Sequence, residues 1–175
     1  MSRTTNEKTV SSWVAVEGGR ITASGAPGRR KLATWAESGV TDVVTLQRAD
    51  EHAAWLPGAC EAAGLTWHHY PLSGRRLERR SDQETLAALP RLLDVLRADP
   101  PRSVIVHCSA GLHRTGICLY ILLRSAGHSP EAAVSAIEAA RPLTAEELTR
   151  KPKKRDSLQS IAEAVYQGQS PSGPA

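Results

Sequence analysis

The sequence predicts an α/β protein in which a central, mostly parallel sheet is flanked by helices, and three observations support this fold class. Strand-like and helix-like patterns alternate along the chain, an order that favours parallel strands joined by helices. The β-branched run Ser103–His107 (SVIVH) is typical of a strand buried on both faces. The nearly all-apolar segment Thr115–Ala126 follows that strand and predicts a buried helix.

The N-terminal half begins with a predicted β-hairpin, in which Gly18-Gly19 separates two strands, Trp13–Val16 and Arg20–Ala23. Beyond it, helices are predicted where an apolar-periodic segment ends near a glycine, and strands where β-branched residues dominate. In chain order these are a helix over Pro27–Ser38, a strand over Val40–Leu46, a helix over Glu51–Ala63 with a kink or break at Pro57, and a strand over Leu65–Tyr70.

A helix-start signal follows that strand. Ser81 and Glu84 match a capping box, which places a helix start at Asp82. Leucines at helical spacing give this helix one apolar face, so it should pack against the core. Pro90 either kinks or splits the helix, and Asp99-Pro100-Pro101 ends it.

Three more helices are expected after the buried strand and its helix. Ser129 with Pro130 reads as an N-cap followed by a proline in the first helical position. Thr144 and Glu147 form a second capping box, and the segment Asp156–Gln167 predicts the last helix.

The length of 175 residues suggests one domain, with residues 12–168 as its ordered part. Residues 1–11 and 169–175 are polar or rich in Pro, Ser and Gly, and are expected to be disordered tails. The formal net charge of +4 favours anionic partners.

Cysteine usage indicates a reducing compartment. Cys60, Cys108 and Cys118 are an odd number without paired spacing, which argues against a disulfide framework. The first residues show no apolar signal segment, and the longest apolar run, Ile117–Leu123, is too short to span a bilayer. A cytoplasmic protein is therefore expected.

The segment between the buried strand and its helix, HCSAGLHRTG over 107–116, has the composition of an anion-binding loop. A strand-to-helix turn directs successive backbone N–H groups into one concavity at a helix N-terminus, where tetrahedral anions bind. Gly111 and Gly116 allow a positive φ or a close backbone approach. The residues expected to surround the anion are Ser109, Ala110, Gly111, Leu112, His113 and Arg114.

Cys108 is the predicted nucleophile of this loop. A thiol in such a positive field should have a lowered pKa, so the thiolate is populated at neutral pH. Arg114, six residues later, has a planar fork that pairs two phosphate oxygens. The Thr115 hydroxyl can donate to the sulfur, and His107 is expected to brace the loop through backbone hydrogen bonds.

Two other interpretations use the same residues. A buried cysteine is commonly a small core residue, which is the interpretation kept for Cys60 and Cys118. A zinc site is conceivable, although the spacings fit no common zinc pattern and neighbours in a strand point to opposite faces. Its ligands would be His107, Cys108, His113 and Cys118.

The segment from His107-Cys108 to Arg114-Thr115 resembles the His-Cys-x5-Arg-Ser/Thr signature of the protein tyrosine phosphatase superfamily, and especially its compact dual-specificity-like members. The resemblance extends over roughly residues 12–168. It includes Val40–Leu46, the stretch His68-His69-Tyr70-Pro71-Leu72, and Arg141-Pro142. The Gly111–Gly116 variant is also similar to atypical members that act on inositol pyrophosphates.

This resemblance implies a phosphotyrosine-phosphatase-like fold and a two-step reaction without metal or other cofactor. Cys108 would form a thiophosphate ester, a general acid would protonate the leaving oxygen, and water would then hydrolyse the intermediate. Arg114 and the loop amides would neutralise the phosphoryl oxygens.

The general acid is where this sequence departs from the family. Members usually have an Asp in the loop after a strand, and here Gly74 stands at that place. The nearest carboxylates are Glu78 and Asp82, and Asp82 is assigned the role. The alternative for Asp82 is a first-turn acid that complements the helix dipole.

Two arginine-rich runs remain. Arg75, Arg76, Arg79 and Arg80 lie in the loop expected to overhang the pocket, either as contacts to a second phosphate or acidic flank, or as an exposed loop. The run over 150–155 reads as a solvated face, so no specific nucleic acid or membrane partner is expected.

The predicted function is therefore phosphomonoester hydrolysis, on phosphotyrosine or mixed phosphoprotein substrates. One alternative is a phosphatase for inositol phosphates or another small polyphosphate. The other is a phosphate-binding pseudophosphatase. The expected partner is a phosphorylated protein or a small phosphorylated molecule, and the oligomeric state is left open.

Overall fold

The computed structural model of this chain describes residues 12–74, 77, 79–153 and 156–168. The predicted tails, residues 1–11 and 169–175, lie outside these ranges. Five strands of the described part form one sheet: β1 (Val14–Val16), β2 (Gly19–Ser24), β3 (Asp42–Thr45), β4 (Thr66–His69) and β5 (Ser103–His107). The helices are α1 (Arg29–Glu37), α2 (Leu56–Ala62), α3 (Arg80–Ala88), α4 (Leu92–Leu96), α5 (His113–Ser125), α6 (Pro130–Ala140), α7 (Pro142–Thr149) and α8 (Leu158–Tyr166).

The sheet has the strand order β1-β2-β5-β3-β4, with β1 antiparallel to β2 and the other neighbours parallel. The predicted α/β class with a mostly parallel sheet is confirmed. His107, the last residue of the central strand β5, pairs with Ser24 of β2 and with Thr45 of β3. The loop that follows β5 therefore starts between the carboxyl ends of two neighbouring strands, the edge at which open α/β sheets bind ligands.

Alternation along β5 joins the two layers of the core. Ile105 packs with α1 and α2, in a cluster that includes Trp35 and Cys60. Val104 and Val106 point the opposite way, into the larger cluster built around α5. Because α5 is buried along most of its length, its N-terminus is held rigidly at the end of β5.

Several predicted helix starts were wrong. The helix assigned to begin at Asp82 begins two residues earlier, at Arg80, with Asp82 in its third position. Ser81 and Glu84 do not form a capping box, because Glu84 accepts a hydrogen bond from the Arg80 side chain at 3.2 Å instead. The backbone N–H of Arg79 is satisfied by the Asp82 carboxylate at 3.3 Å.

Proline sets two other boundaries. The helix predicted from Glu51 begins only at Leu56, since Pro57 belongs in a first turn and not in a helix interior. Pro90 splits the next predicted helix, and a 3-10 turn over Leu89–Arg91 separates α3 from α4. Among the residues the structure describes, none forms a helix both long enough and apolar enough to cross a membrane.

The second predicted capping box, Thr144 with Glu147, was also wrong. Helix α7 begins at Pro142, whose fixed φ suits the first helical position, so Thr144 already lies inside the helix. Its hydroxyl is used elsewhere, as described below. By contrast, the predicted N-cap of α6 is confirmed, because the Ser129 hydroxyl accepts the N–H of Ala132 at 3.1 Å.

Candidate active site

The loop between β5 and α5 surrounds the Cys108 sulfur with hydrogen-bond donors. The residue is only 4% exposed, while Ser109 and Ala110 beside it are open to solvent. Both the N–H of Gly111 and the hydroxyl of Thr115 donate to Sγ, at 3.2 Å each. Burial raises the pKa of this thiol, but the donors of Thr115, Gly111 and Leu112 outweigh burial and hold the pKa below its ordinary value. The arrangement favours a thiolate.

Gly111 is the tightest point of the loop. It has a φ of +72°, and a side chain there would overlap the carbonyl of Ser24 and the guanidinium of Arg141. Its carbonyl accepts the hydroxyl of Thr144 at 2.8 Å and Arg141 Nη1 at 2.7 Å. The start of α7 thus clamps the loop from outside. The sequence pattern identified Gly111 but gave Thr144 only a capping role.

Arg114 is fixed by three contacts. The residue is 9% exposed, and its guanidinium donates to Glu51 Oε2 at 2.7 Å, to the carbonyl of Leu72 at 3.0 Å and to Ser109 Oγ at 3.2 Å. Arginine has five N–H donors, so the described contacts leave two for phosphoryl oxygens. The fork is therefore oriented before any substrate arrives.

Glu51 is a positioning residue that sequence reasoning missed, since it was treated only as a helix start. It lies after β3 at the same edge of the sheet and also accepts the N–H of Arg48 at 2.8 Å. Burial raises its pKa, but the hydrogen bonds and charges of Arg114 and Arg48 together keep the pKa below its usual value. Its place just after the predicted strand Val40–Leu46 was the one available signal.

His107 is completely buried and links the loop to the sheet. Its Nδ1 lies 3.1 Å from the carbonyl oxygen of Cys108, and its Nε2 lies 2.8 Å from the hydroxyl of Thr45. The indole N–H of Trp67 donates to the same hydroxyl at 2.9 Å. Because a carbonyl only accepts and an indole only donates, Nδ1 carries the proton and Nε2 accepts the Thr45 hydroxyl. Burial lowers the pKa of His107 to about 4, so the ring is neutral.

Asp82, the assigned general acid, is 1% exposed. One carboxylate oxygen accepts the N–H of Ser73 at 2.7 Å, and the other accepts the Ser73 hydroxyl and the N–H of Arg79. These bonds tie the loop after β4 to the start of α3. A general acid must present its proton to the substrate, so the contacts favour a positioning role. The catalytic assignment stays a prediction.

The other predicted residues are His113 and those of the arginine-rich segment before α3. His113, at the start of α5, lies with Nε2 3.0 Å from a Glu147 oxygen. Arg75, Arg76 and Glu78 lie outside the described residues. Arg79 and Arg80 are exposed, and the Arg80 side chain pairs with Glu84. Within the part of the chain that is described, no group of three or more His, Cys, Asp or Glu is arranged to hold a metal ion.

A cysteine on a hydrogen-bonded strand–loop–helix turn, with an oriented arginine at the helix start, defines the class of cysteine-dependent phosphatases. A family model described as the tyrosine phosphatase family matches residues 4–166, and the chain belongs to this family. It is a phosphoric monoester hydrolase of the protein-tyrosine-phosphatase-like kind.

Solved structures show the same fold at low sequence identity. Tk-PTP in its active form is 20% identical, with a TM-score of 0.63 over 89% of this chain and 99% of that chain. Kinase associated phosphatase, with its catalytic cysteine replaced by serine, is 14% identical, with a TM-score of 0.65 over 93% and 97%. The core catalytic domain of the PP-IP phosphatase SIW14 from S. cerevisiae is 15% identical, with a TM-score of 0.59 over 87% and 84%. Among curated proteins, none matches this sequence.

Proposed function

We propose that this protein hydrolyses phosphate monoesters through a cysteinyl-phosphate intermediate on Cys108. The observation that carries the proposal is the environment of the Cys108 sulfur. Two hydrogen-bond donors stabilise its thiolate at the floor of a loop that is open to solvent. A thiolate is the nucleophilic form of cysteine.

In the first step, Cys108 Sγ attacks phosphorus in line, the S–P bond forms and the bond to the leaving oxygen breaks. That oxygen takes up a proton from a general acid as it leaves, a role for which Asp82 and Glu78 are the predicted candidates. Arg114 grips two phosphoryl oxygens with its remaining donors, and the loop amides stabilise the developing charge.

In the second step, a water molecule attacks phosphorus and gives up a proton, which balances the proton taken up by the leaving oxygen. The S–P bond breaks and the electron pair returns to sulfur. The Thr115 hydroxyl, already 3.2 Å from Sγ, stabilises the thiolate that leaves. Inorganic phosphate then departs and the free thiolate is regenerated. The residues of this chain supply all the positive charge the mechanism requires.

We assign phosphorylated tyrosine, or mixed phosphorylated protein side chains, as the substrate class. The family model supports this assignment. A second candidate is a small polyphosphate, favoured by the likeness to the PP-IP phosphatase SIW14. We also place the protein in the cytoplasm, and its three cysteines are free thiols, as they would be in a reducing compartment.

The test is turnover of p-nitrophenyl phosphate in the presence of EDTA, followed by trapping of the intermediate. We expect activity that vanadate inhibits, and a phosphorylated peptide containing Cys108 after rapid acid quench. Cys108→Ser should abolish turnover, whereas Cys60→Ala, a control at another buried cysteine, should retain it. Phosphate binding without turnover would show a pseudophosphatase instead.

A further inference from the structure

Lys31 lies in the first turn of α1, close to the edge of the phosphate loop. Its ammonium donates to the hydroxyl of Ser24 at 2.7 Å and lies 5.4 Å from the centre of the Trp35 ring. Ser24 ends β2, pairs with His107 and packs its carbonyl closely against Gly111. The ammonium is thus tethered beside the loop while its residue remains exposed to solvent.

Arg141 reaches the same edge from the junction of α6 and α7. Its Nη1 donates to the carbonyl of Ala110 at 2.9 Å and to that of Gly111 at 2.7 Å. The residue is only half-buried, so it is not sealed off from solvent. Two cations from distant parts of the sequence therefore flank one wall of the loop.

These two cations differ from two other arginines near the loop. Arg114 is paired with Glu51, and Arg150 with Glu147. For Lys31 and Arg141, the described residues include no carboxylate within ion-pair distance. Burial lowers the pKa of Lys31, and the charge of Arg141 lowers it further. An anion bound between them would relieve this repulsion.

Resting on the proposed phosphatase function, we propose that Lys31 and Arg141 form a second anion site, which favours the second candidate substrate class, small molecules carrying a second phosphoryl group close to the one that is cleaved. Arg141 binds carbonyls of the loop itself, so the second anion must lie only a few bonds from the reacting phosphorus. A phosphotyrosine ring holds its peptide backbone away from the loop, and acidic neighbours in an extended peptide lie on alternating sides. Phosphoryl groups on adjacent carbons of one small molecule fit the spacing better.

The test measures binding without turnover, by calorimetry on the Cys108→Ser protein. The probes are myo-inositol 4-phosphate and myo-inositol 4,5-bisphosphate. We expect the bisphosphate to bind at least about tenfold more tightly, a factor within the range of one charge-assisted hydrogen bond. Adding Lys31→Gln should remove most of this preference. Adding Arg30→Gln, at an exposed cation in the same helical turn, should leave it intact.

Equal affinity for the two probes, failure to bind either, or a preference that survives Lys31→Gln would overturn the proposal. A second arm compares phosphotyrosine peptides with Glu or Ala next to the phosphorylated residue. A preference for the acidic peptide that depends on Lys31, without a preference for the bisphosphate, would assign the site to phosphoproteins and also overturn it. Absence of turnover by the unmodified enzyme would refute the proposed function while leaving this binding result standing.

Discussion

The carboxylate of Glu51 lies 2.7 Å from the guanidinium of Arg114, although 63 residues separate them in the chain. The pair forms because β3 and β5 are neighbouring parallel strands, so the segments that follow them meet at one edge of the sheet. Glu51 acts on the substrate only through Arg114, whose orientation it fixes.

We expect Glu51→Gln to lower kcat/KM by about tenfold to hundredfold, the cost of a substrate-binding fork that is present but not oriented. Without the Glu51 carboxylate, Arg114 should lose more binding energy toward the transition state than toward bound substrate. The value of kcat should therefore fall more than KM rises. Asp50→Asn, at the exposed neighbouring carboxylate, is the control and should behave like the unmodified enzyme. A change in KM alone would contradict the positioning role.

The lowered pKa of the Cys108 thiol predicts selective alkylation. At neutral pH iodoacetamide should label Cys108 first, because burial raises the pKa of Cys60 to about 11 and that of Cys118 beyond the usual thiol range. Thr115→Val removes one donor to the sulfur, so labelling of Cys108 should shift to higher pH. Peptide mapping over a pH series measures both effects. Faster labelling of Cys60 would contradict the stabilised thiolate.

The buried, neutral ring of His107 should make the folded protein less stable in acid. Its pKa is lowered from 6.5 to about 4 in the folded protein, so between these values the unfolded chain binds a proton that the folded chain does not. The free energy of unfolding should therefore fall as pH drops through this window, by up to about 1.4 kcal/mol per pH unit from this residue. Denaturant titrations should show a flatter pH dependence for His107→Gln. Equal slopes of unfolding free energy against pH in the two proteins would mean that His107 does not cause the loss of stability in this pH range.

Two substrates with different leaving groups can distinguish a positioning role of Asp82 from a general-acid role. Its contacts to Ser73 and Arg79 predict that Asp82→Asn lowers the melting temperature and lowers the turnover of phenyl phosphate and p-nitrophenyl phosphate by the same factor. A general acid predicts a much larger loss on phenyl phosphate, whose poorer leaving group needs a proton. The same pair of substrates with Glu78→Gln tests the other carboxylate. Selective loss in Asp82→Asn would restore it as the acid.

The chemistry of the loop could be predicted because His107, Cys108, Arg114 and Thr115 are close in sequence, so local strand and helix signals already place them together. Glu51, in contrast, reaches the site only through the order of the strands, which no local pattern reveals. Asp82 was assigned because it opens a helix whose apolar face packs on the core, and no sequence pattern shows that Ser73 occupies its oxygens.

The clamp on the loop escaped prediction for a related reason. The spacing of Thr144 and Glu147 matched a helix cap, but Pro142 starts α7 earlier and frees the Thr144 hydroxyl for Gly111. The local motif therefore predicted helix α7 correctly but assigned the wrong role to Thr144. Arg141 was noticed as part of a family pattern, while its two bonds to the loop depend on the packing of α7.

The parallel pairing of β2 with β5 has a practical consequence for protein engineering. It brings the first turn of α1 to the rim of the loop, while the thiol and its arginine belong to one uninterrupted segment elsewhere in the chain. A library centred on Lys31 would therefore vary the rim of the loop without altering a single reacting atom. Directed evolution of substrate preference in this scaffold should begin with that turn.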